Sequence, residues 1–364
     1  MWDIPPGVGV YTGRVTRPND AETDLFLSLT PEAVLQAVEA GGVRCKPVCC
    51  PLNSFENRVY LMETEDDQRI ISKFYRPRRW SREQILEEHQ FLADLAAEDI
   101  PVCPTRSFPD GETLKQKNGI LYCLFEARGG RAPDELTDSD VDRLGMLVAR
   151  MHNVGAARPS EHRIHLTPDV YVWENVGWLE EHDTLPAQFA SRYLDAATYI
   201  ADIASEYLEG VELHRIHGDC HLGNLLLRDE IFNVLDFDDM LVGPAVQDLW
   251  LALPGRDDYT RRQRQCFLEG YERFRAFDRA TLRLIEPLRG MRMIHYATWL
   301  ARRWHDPIFP RTWPHFGTEE YWEEETGALE DLVSYIKSDR GEAVAAEAEP
   351  ALTNKDYFFD WEDN

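Results

Sequence analysis

The chain has 364 residues, 43% hydrophobic and 11% aromatic, which suits a globular protein of two domains or of one domain with two lobes and excludes a disordered one. Its 39 Lys plus Arg against 65 Asp plus Glu leave a net charge of −26. That field repels a phosphate backbone, so nucleic acid is excluded as a partner, and an anionic nucleotide would need a local cation or a divalent metal.

Cys45, Cys49, Cys50, Cys103, Cys123, Cys220 and Cys266 are odd in number and scattered in spacing. They read as reduced thiols in a cytoplasmic protein, not as a disulfide framework. The opening MWDIPPGVGVYTGRV lacks a charged segment followed by an apolar run, so no signal peptide is expected. No stretch approaches the roughly 18 apolar residues of a membrane helix, so no membrane partner is expected either.

Residues 1–25 carry Pro and Gly without periodicity and read as an N-terminal extension. TPEAVLQAVEAGG, from Thr30 to Gly42, has a capping residue, a first-turn Pro and a terminal Gly pair, which predicts a short helix. NRVYLMETEDDQRIISKFYRP predicts two strands around an acidic turn. SREQILEEHQFLADLAAE predicts a helix with its N-cap at Ser81, paired with Glu83 or Gln84. GILYCLFEA is a continuous apolar run and reads as a buried strand, followed by the linker RGGRAPDEL.

From about Asp138 the pattern turns helical. SDVDRLGMLVARMHNVG puts Val141, Leu144, Val148 and Met151 on one face, and PLRGMRMIHYATWLARRW predicts a second clear helix. No internal repeat is visible. GEAVAAEAEPALTNKDYFFDWEDN is acidic and reads as a mobile tail, whose Tyr357, Phe358, Phe359 and Trp361 could dock on a surface.

Within the helical half, HGDCHLGNLLLRDEIFNVLDFDD reads as a buried strand flanked by acids. Phosphoryl transfer from a nucleotide needs a carboxylate near the acceptor hydroxyl, metal ligands, a cation on the phosphates and a cover that excludes water. Asp219 and Asn224, five apart in a loop, can put an acid at the acceptor and an amide oxygen on a metal. Asp236 follows IFNVL and would emerge beside Asn224. Such hard oxygen ligands suit Mg²⁺. Lys73 lies on a predicted strand, and the next helix carries Glu87 and Glu88, either of which could hold a carboxylate against it.

HGDCHLGN followed by VLDFDD resembles the catalytic and metal loops of the aminoglycoside phosphotransferase and choline kinase superfamily. PLNSFENRVY, KFYRPRRW, QILEEHQF, GPAVQDLW and IEPLRGMR extend the likeness to the bacterial stress response kinase A family of serine/threonine protein kinases, over about residues 30–335. The resemblance implies an α+β, two-lobed protein-kinase-like fold, with a small antiparallel-sheet lobe and a larger, mainly helical lobe. The expected division is 1–25 extension, 26–127 nucleotide-binding lobe, 128–340 helical lobe and 341–364 acidic tail.

The roles it implies are Asp219 as catalytic base, Asn224 and Asp236 on Mg²⁺, and Lys73 on the ATP phosphates. Glu88 is expected as the partner of Lys73, with Glu87 as the alternative. Ser54 and Asn57 would lie at the nucleotide in a cover loop that lacks the glycines of a Gly-rich loop. Phe125 and Ala127, in LFEA, would meet the adenine edge. Asp248 would brace the catalytic loop. The expected partners are ATP and a protein Ser/Thr acceptor, with autophosphorylation and a stress-response role, in a monomer. A small-alcohol kinase and a nucleotide-binding regulator without turnover are the alternatives, and an acidic cleft would favour a cationic acceptor.

Four further patterns have two readings each. His214, His217, Cys220 and His221 could hold zinc, but read better as loop-packing residues. Cys49 and Cys50 could be a redox pair, but adjacent cysteines bridge only through a strained ring. Asp238 and Asp239 read as turn acids, with Asp238 able to reach a second metal. Arg289, Arg292, Arg302 and Arg303 could touch an acidic substrate, but read better as a solvated helix face.

Overall fold

Arg58–Thr64 (β2) alternates buried and less buried residues, Arg69–Phe74 (β3) ends in three buried ones, and the two pair antiparallel with Val59 opposite Lys73. The structure is a computed structural model that describes residues 25–133 and 135–348, with side chains as far as 339. The aromatic residues of the C-terminal segment, and nearly all of the N-terminal extension, lie outside the described residues.

Pro31–Ala40 (α1) is capped by Thr30, whose hydroxyl accepts from the N–H of Ala33, and it buries Val34, Ala37 and Val38. Cys45–Leu52 (β1), β2, β3, Ile120–Glu126 (β6) and the two-residue Thr105–Arg106 (β4) form an antiparallel sheet in the order β1-β2-β3-β6-β4, and Lys115–Lys117 (β5) pairs with β6. Arg82–Ala97 (α2) puts Ile85 in one buried cluster with Tyr75 and Cys123, and Ser81 and Gln84 form its capping box. β1 was not foreseen, because Pro47 and Pro51 argue against a strand. It sits at the sheet edge, where missing N–H donors are tolerated.

The larger lobe is helical. Its helices are Asp138–Ala156 (α3), Glu174–Glu181 (α4), Ala187–Leu208 (α5), Val246–Ala252 (α6), Asp258–Tyr271 (α7), Ile285–Arg302 (α8), Ile308–Thr312 (α9) and Glu319–Ala348 (α10). α10 therefore runs past residue 340, where the tail was expected to begin. α3 and α7 pack through reciprocal glycines. A Cβ on Gly145 would stand 2.1 Å from the carbonyl oxygen of Phe267, and one on Gly270 2.1 Å from that of Asp142.

Among these helices lie two ladders, His214–Ile216 (β7) with Leu241–Gly243 (β10), and Leu225–Arg228 (β8) with Ile231–Val234 (β9). The single strand expected in LLLRDEIFNVL is thus a hairpin. Its turn residues Asp229 and Glu230 both have positive φ, the geometry of a tight two-residue hairpin turn, without the Gly or Asn that usually marks one. No helix among the described residues is long and apolar enough to cross a membrane.

Candidate active site

The β8–β9 hairpin sets the geometry of the two residues expected on Mg²⁺. Leu225 pairs with Val234, and the N–H of Leu235 donates to the carbonyl of Asn224 at 2.9 Å. Asn224 and Asp236 therefore emerge together from facing strand ends. Asp236 has φ 56°, in the left-handed region a non-glycine residue rarely enters, and its side chain is 55% exposed. One of its oxygens accepts from Lys73 Nζ at 3.2 Å. The Asn224 amide nitrogen donates to the carbonyl of Asp219 at 3.0 Å, which leaves the amide oxygen as the available donor atom. Both residues offer hard oxygens, which fit Mg²⁺.

The expected catalytic loop, from His217 to Asn224, is held by Asp248. Asp248, fully buried on the first turn of α6, accepts from the N–H groups of His217 at 3.0 Å and Gly218 at 2.8 Å, and from His152 Nε2 at 3.1 Å. His217 Nε2 lies 2.8 Å from the carbonyl of Leu235, and its Nδ1 accepts the N–H of Asp219 at 3.2 Å. Gly218 has φ 81°, and a Cβ there would sit 2.4 Å from the carbonyl of Asp239, so only glycine fits.

Asp219 Oδ1 accepts from Arg292 Nη2 at 2.6 Å, and Oδ2 lies 3.4 Å from His221 Nε2. Burial alone would raise the carboxyl's pKa. The bond from His221 and the charge of Arg292 overcome this and hold it well below the usual carboxylate range.

Lys73 is buried on β3 and meets three carboxylates: Glu88 at 3.4 Å, Asp236 at 3.2 Å and Asp238 at 2.9 Å. Burial disfavours its charge, but Asp238, Glu88 and Asp236 more than compensate and keep the ammonium protonated. Glu88 reaches the lysine and Glu87 does not. Instead Glu87 accepts the N–H groups of Glu161, His162 and Arg163 and fastens that loop.

Asp238 is a correction. It is no solvated turn acid but a buried carboxylate, ion-paired to Lys73 and to Arg79, and its neighbour Asp239 takes the other Arg79 nitrogen. No role was expected for Arg79, although it lies in KFYRPRRW, nor for Arg163. Arg163 donates to Glu88 at 3.2 Å and to the backbone carbonyl of Asp238 at 2.7 Å, and its guanidinium lies over the ring of Trp80.

The expected nucleotide contacts are placed unequally. The Ser54 hydroxyl accepts the N–H of Asn57 at 3.3 Å, so it braces its own loop. Asn57 is buried, and its amide oxygen accepts the N–H of Arg76 at 3.2 Å, an engagement within the fold. Phe125 packs partly buried against the core, and the N–H of Ala127 donates to the carbonyl of Arg69 at 3.2 Å.

The zinc reading finds no cluster. His214 is buried against His152, His217 and His221 have the partners given above, Cys220 is buried, and no metal-holding group of three ligands occurs among the described residues. Cys49 and Cys50 are free thiols on adjacent positions of β1, whose side chains leave opposite faces of the strand. Of the four late arginines, Arg292 reaches Asp219 and Arg303 reaches the cover loop, where its side chain is largely buried, so the solvated-face reading fails for Arg303. Arg289 pairs with Glu286, Arg302 lies over Trp178, and Arg303 binds Glu56.

The family model described as "Phosphotransferase enzyme family" matches residues 48–285. Stress response kinase A of Escherichia coli (strain K12) is 39% identical over 305 residues, 84% of this chain and 92% of its own. Serine/threonine protein kinase RdoA of Salmonella typhimurium (strain LT2) is 38% identical over 302 residues, 83% of this chain and 92% of its own. Among solved structures, amicoumacin kinase hAmiN, in complex with AMP-PNP, Ca²⁺ and Ami, aligns with a TM-score of 0.67 at 20% identity, over 87% of this chain and 96% of its own. That likeness is one of fold: a small antiparallel-sheet lobe joined to a larger helical lobe.

Proposed function

The chain belongs to the phosphotransferase enzyme family and is a kinase, and from that premise we propose that it is an ATP- and Mg²⁺-dependent serine/threonine protein kinase of the stress response kinase A type. The convergence of Lys73, Glu88, Asp219, Asn224 and Asp236 from four separate chain segments carries the phosphotransfer part of this reading, and the 38–39% identity to relatives named stress response kinase A and serine/threonine protein kinase RdoA supports the protein acceptor. The same reading takes residues 26–127 as the nucleotide lobe and 128–340 as the acceptor lobe, in a cytosolic monomer that also phosphorylates itself.

ATP lies between the lobes with its phosphates toward Lys73. Asn224 and Asp236 would hold Mg²⁺, which when bound would neutralise phosphate charge that this acidic protein otherwise repels. Glu88 fixes the ammonium of Lys73 against the sheet. Asp219 orients the acceptor hydroxyl. As the hydroxyl oxygen bonds to the γ-phosphorus, the bond to the β–γ bridging oxygen breaks, ADP leaves, and the hydroxyl proton passes to Asp219. The depressed basicity of Asp219 suits orientation with late proton transfer, so catalysis is chiefly positioning and electrostatics.

The test is transfer of label from γ-labelled ATP with Mg²⁺, for wild type and Asp219→Asn, with and without a generic protein substrate. Label on protein that disappears in the variant is the expected result. ATP consumption only when an amino-alcohol panel is added would move the function to a small-alcohol kinase. ATP bound with no transfer to any acceptor would leave a regulator.

A further inference from the structure

We infer that Arg292 is a specificity-determining residue that reads an acidic side chain next to the acceptor hydroxyl, so that the acceptor is an acidic Ser/Thr segment of a protein. The inference rests on the protein-kinase reading above and names the substrate class of that site.

The argument starts from which charges are already engaged. An acidic cleft would favour a cationic acceptor, but the cleft's carboxylates are mostly matched within the protein. Asp238 and Asp239 are held by Arg79, Asp236 and Glu88 by Lys73, and Glu56 by Arg303. Beside Asp219, on the α8 side, the charge presented to an acceptor is the guanidinium of Arg292, 37% exposed. It donates to Asp219 through Nη2. A guanidinium carries five N–H donors, so it can hold Asp219 and still offer its remaining edge to a second carboxylate.

Its surroundings fit a peptide. Tyr296 lies one turn further along α8 and is 41% exposed, and Phe55 of the cover loop is equally exposed. Trp313 joins them, 6.5 Å from Tyr296 and 5.0 Å from Phe55 between ring centroids. Next to Arg292 in the same helical turn, His295 is half-buried, and desolvation together with Arg303 and Arg292 drives its pKa down to about 3, so it adds no cation there. The site therefore presents the Arg292 guanidinium on one oxygen of the base, the His221 ring on the other, and an aromatic flank formed by Tyr296, Trp313 and Phe55 on the Arg292 side. An ammonium-bearing acceptor would meet like charge at the step where it must approach Asp219. With a protein charge of −26, an acidic segment gains nothing from long-range steering, so its recognition has to come from this local contact.

The experiment uses two serine peptides of one sequence, differing only in whether Glu or Lys flanks the serine, with wild type, Arg292→Gln and Arg292→Glu. Wild type is expected to favour the acidic peptide by about tenfold or more in kcat/KM, chiefly through KM. Arg292→Gln should level the two, and Arg292→Glu should invert the order. An inverted preference cannot come from a merely structural role. If Arg292→Gln slows both peptides equally through kcat and leaves the preference intact, Arg292 only orients Asp219 and the inference is overturned. Equal use of both peptides by wild type overturns it too, while the protein-kinase reading survives. If neither peptide is labelled and an amino alcohol is, that reading falls and takes the inference with it.

Discussion

Glu56, in the cover loop of the small lobe, is gripped from the helical lobe by Arg303, whose Nη2 stands 2.8 Å from Oε1, while Trp299 Nε1 donates to Oε2 at 2.7 Å. A second tie lies beside it. Arg58 and Arg76 each place an Nη2 2.9 Å from Oδ2 of the buried Asp306. The cover loop lacks the glycines that let a Gly-rich loop settle on phosphates, and here its position is set by ion pairs to the opposite lobe.

Glu56→Gln is therefore expected to lower the melting temperature in a pH-dependent way. Burial alone would raise the pKa of Glu56, but Arg79, Arg303 and Arg76 bring it down to about 2. Against the ordinary value of 4.5 this corresponds to about 3 kcal/mol of stabilisation. The folded pKa lies below the unfolded one, so the contribution is complete above pH 4.5 and is lost as pH falls through about 2. Melting curves of wild type and variant should stand furthest apart above pH 4.5 and draw together as the pH falls from there toward about 2. A gap that stays constant across that range would show that Glu56 is not the stabilising anion.

Glu88→Gln and Glu87→Gln should behave oppositely. Glu88 touches Lys73 and Arg163, so its neutral variant loosens the lysine, and kcat is expected to fall by roughly tenfold or more. Glu87 fastens the 160–163 loop through three backbone N–H groups. Its variant should cost about 1–3 kcal/mol in stability with kcat nearly unchanged. Steady-state kinetics beside thermal melts separate the two, and a larger kcat loss in Glu87→Gln would reverse their roles.

The contrast shows what a sequence can carry. Asp219, Asn224 and Asp236 were legible because the loop and hairpin that bear them are contiguous, so spacing translates directly into geometry. Glu88 was distinguishable from Glu87 because Phe91 and Leu92 mark the buried face of its helix. Arg79 and Arg163 were not legible. They lie in aperiodic loops, and only the closing of the two lobes brings them to Asp238 and Glu88. Asp238 was misread for the same reason: an acid in a turn is ordinarily solvated, and nothing local reveals two cations folding over it. β1 and the hairpin at Asp229 and Glu230 were hidden by residues that usually mean something else, two prolines in the first and two acids in the second.

Asp219→Asn keeps the shape of the side chain and removes the proton acceptor. Label transfer is expected to fall by about 10²–10⁴ in kcat, with KM for ATP within about twofold of wild type. The bond from Arg292 persists, because the amide oxygen still accepts it. Because Asp219 is held well below the usual carboxylate range, it stays ionised as pH falls through 4, and the acid limb of kcat/KM should not show its protonation near that value. An acid limb near 4 that vanishes in the variant would contradict this.

Asp236→Asn tests the metal assignment. The half-exposed carboxylate would lose its charge while keeping one oxygen, so the Mg²⁺ concentration for half-maximal activity should rise by about tenfold or more. Activity titrated against Mg²⁺ at saturating ATP reads this directly. A lowered maximum with an unchanged Mg²⁺ midpoint would make Asp236 an anchor for Lys73 and not a metal ligand.

Gly270→Ala probes how the helical lobe supports the loop. The added methyl would meet the carbonyl of Asp142 at 2.1 Å, and backbone cannot yield as a flexible side chain can, so α3 and α7 must separate. The next residue, Tyr271, has its hydroxyl 2.8 Å from His152 Nδ1, and His152 Nε2 lies 3.1 Å from Asp248, which holds the N–H groups of His217 and Gly218. Displacing α7 therefore pulls on the catalytic loop through one continuous chain of hydrogen bonds. The variant is expected to lose about 1–3 kcal/mol or more in stability and, while still folded, to show reduced kcat with an unchanged KM for ATP. Tyr271→Phe breaks the same chain without the clash, and it should reproduce the kcat loss at smaller cost in stability. Full activity in Tyr271→Phe would confine the effect of Gly270 to packing.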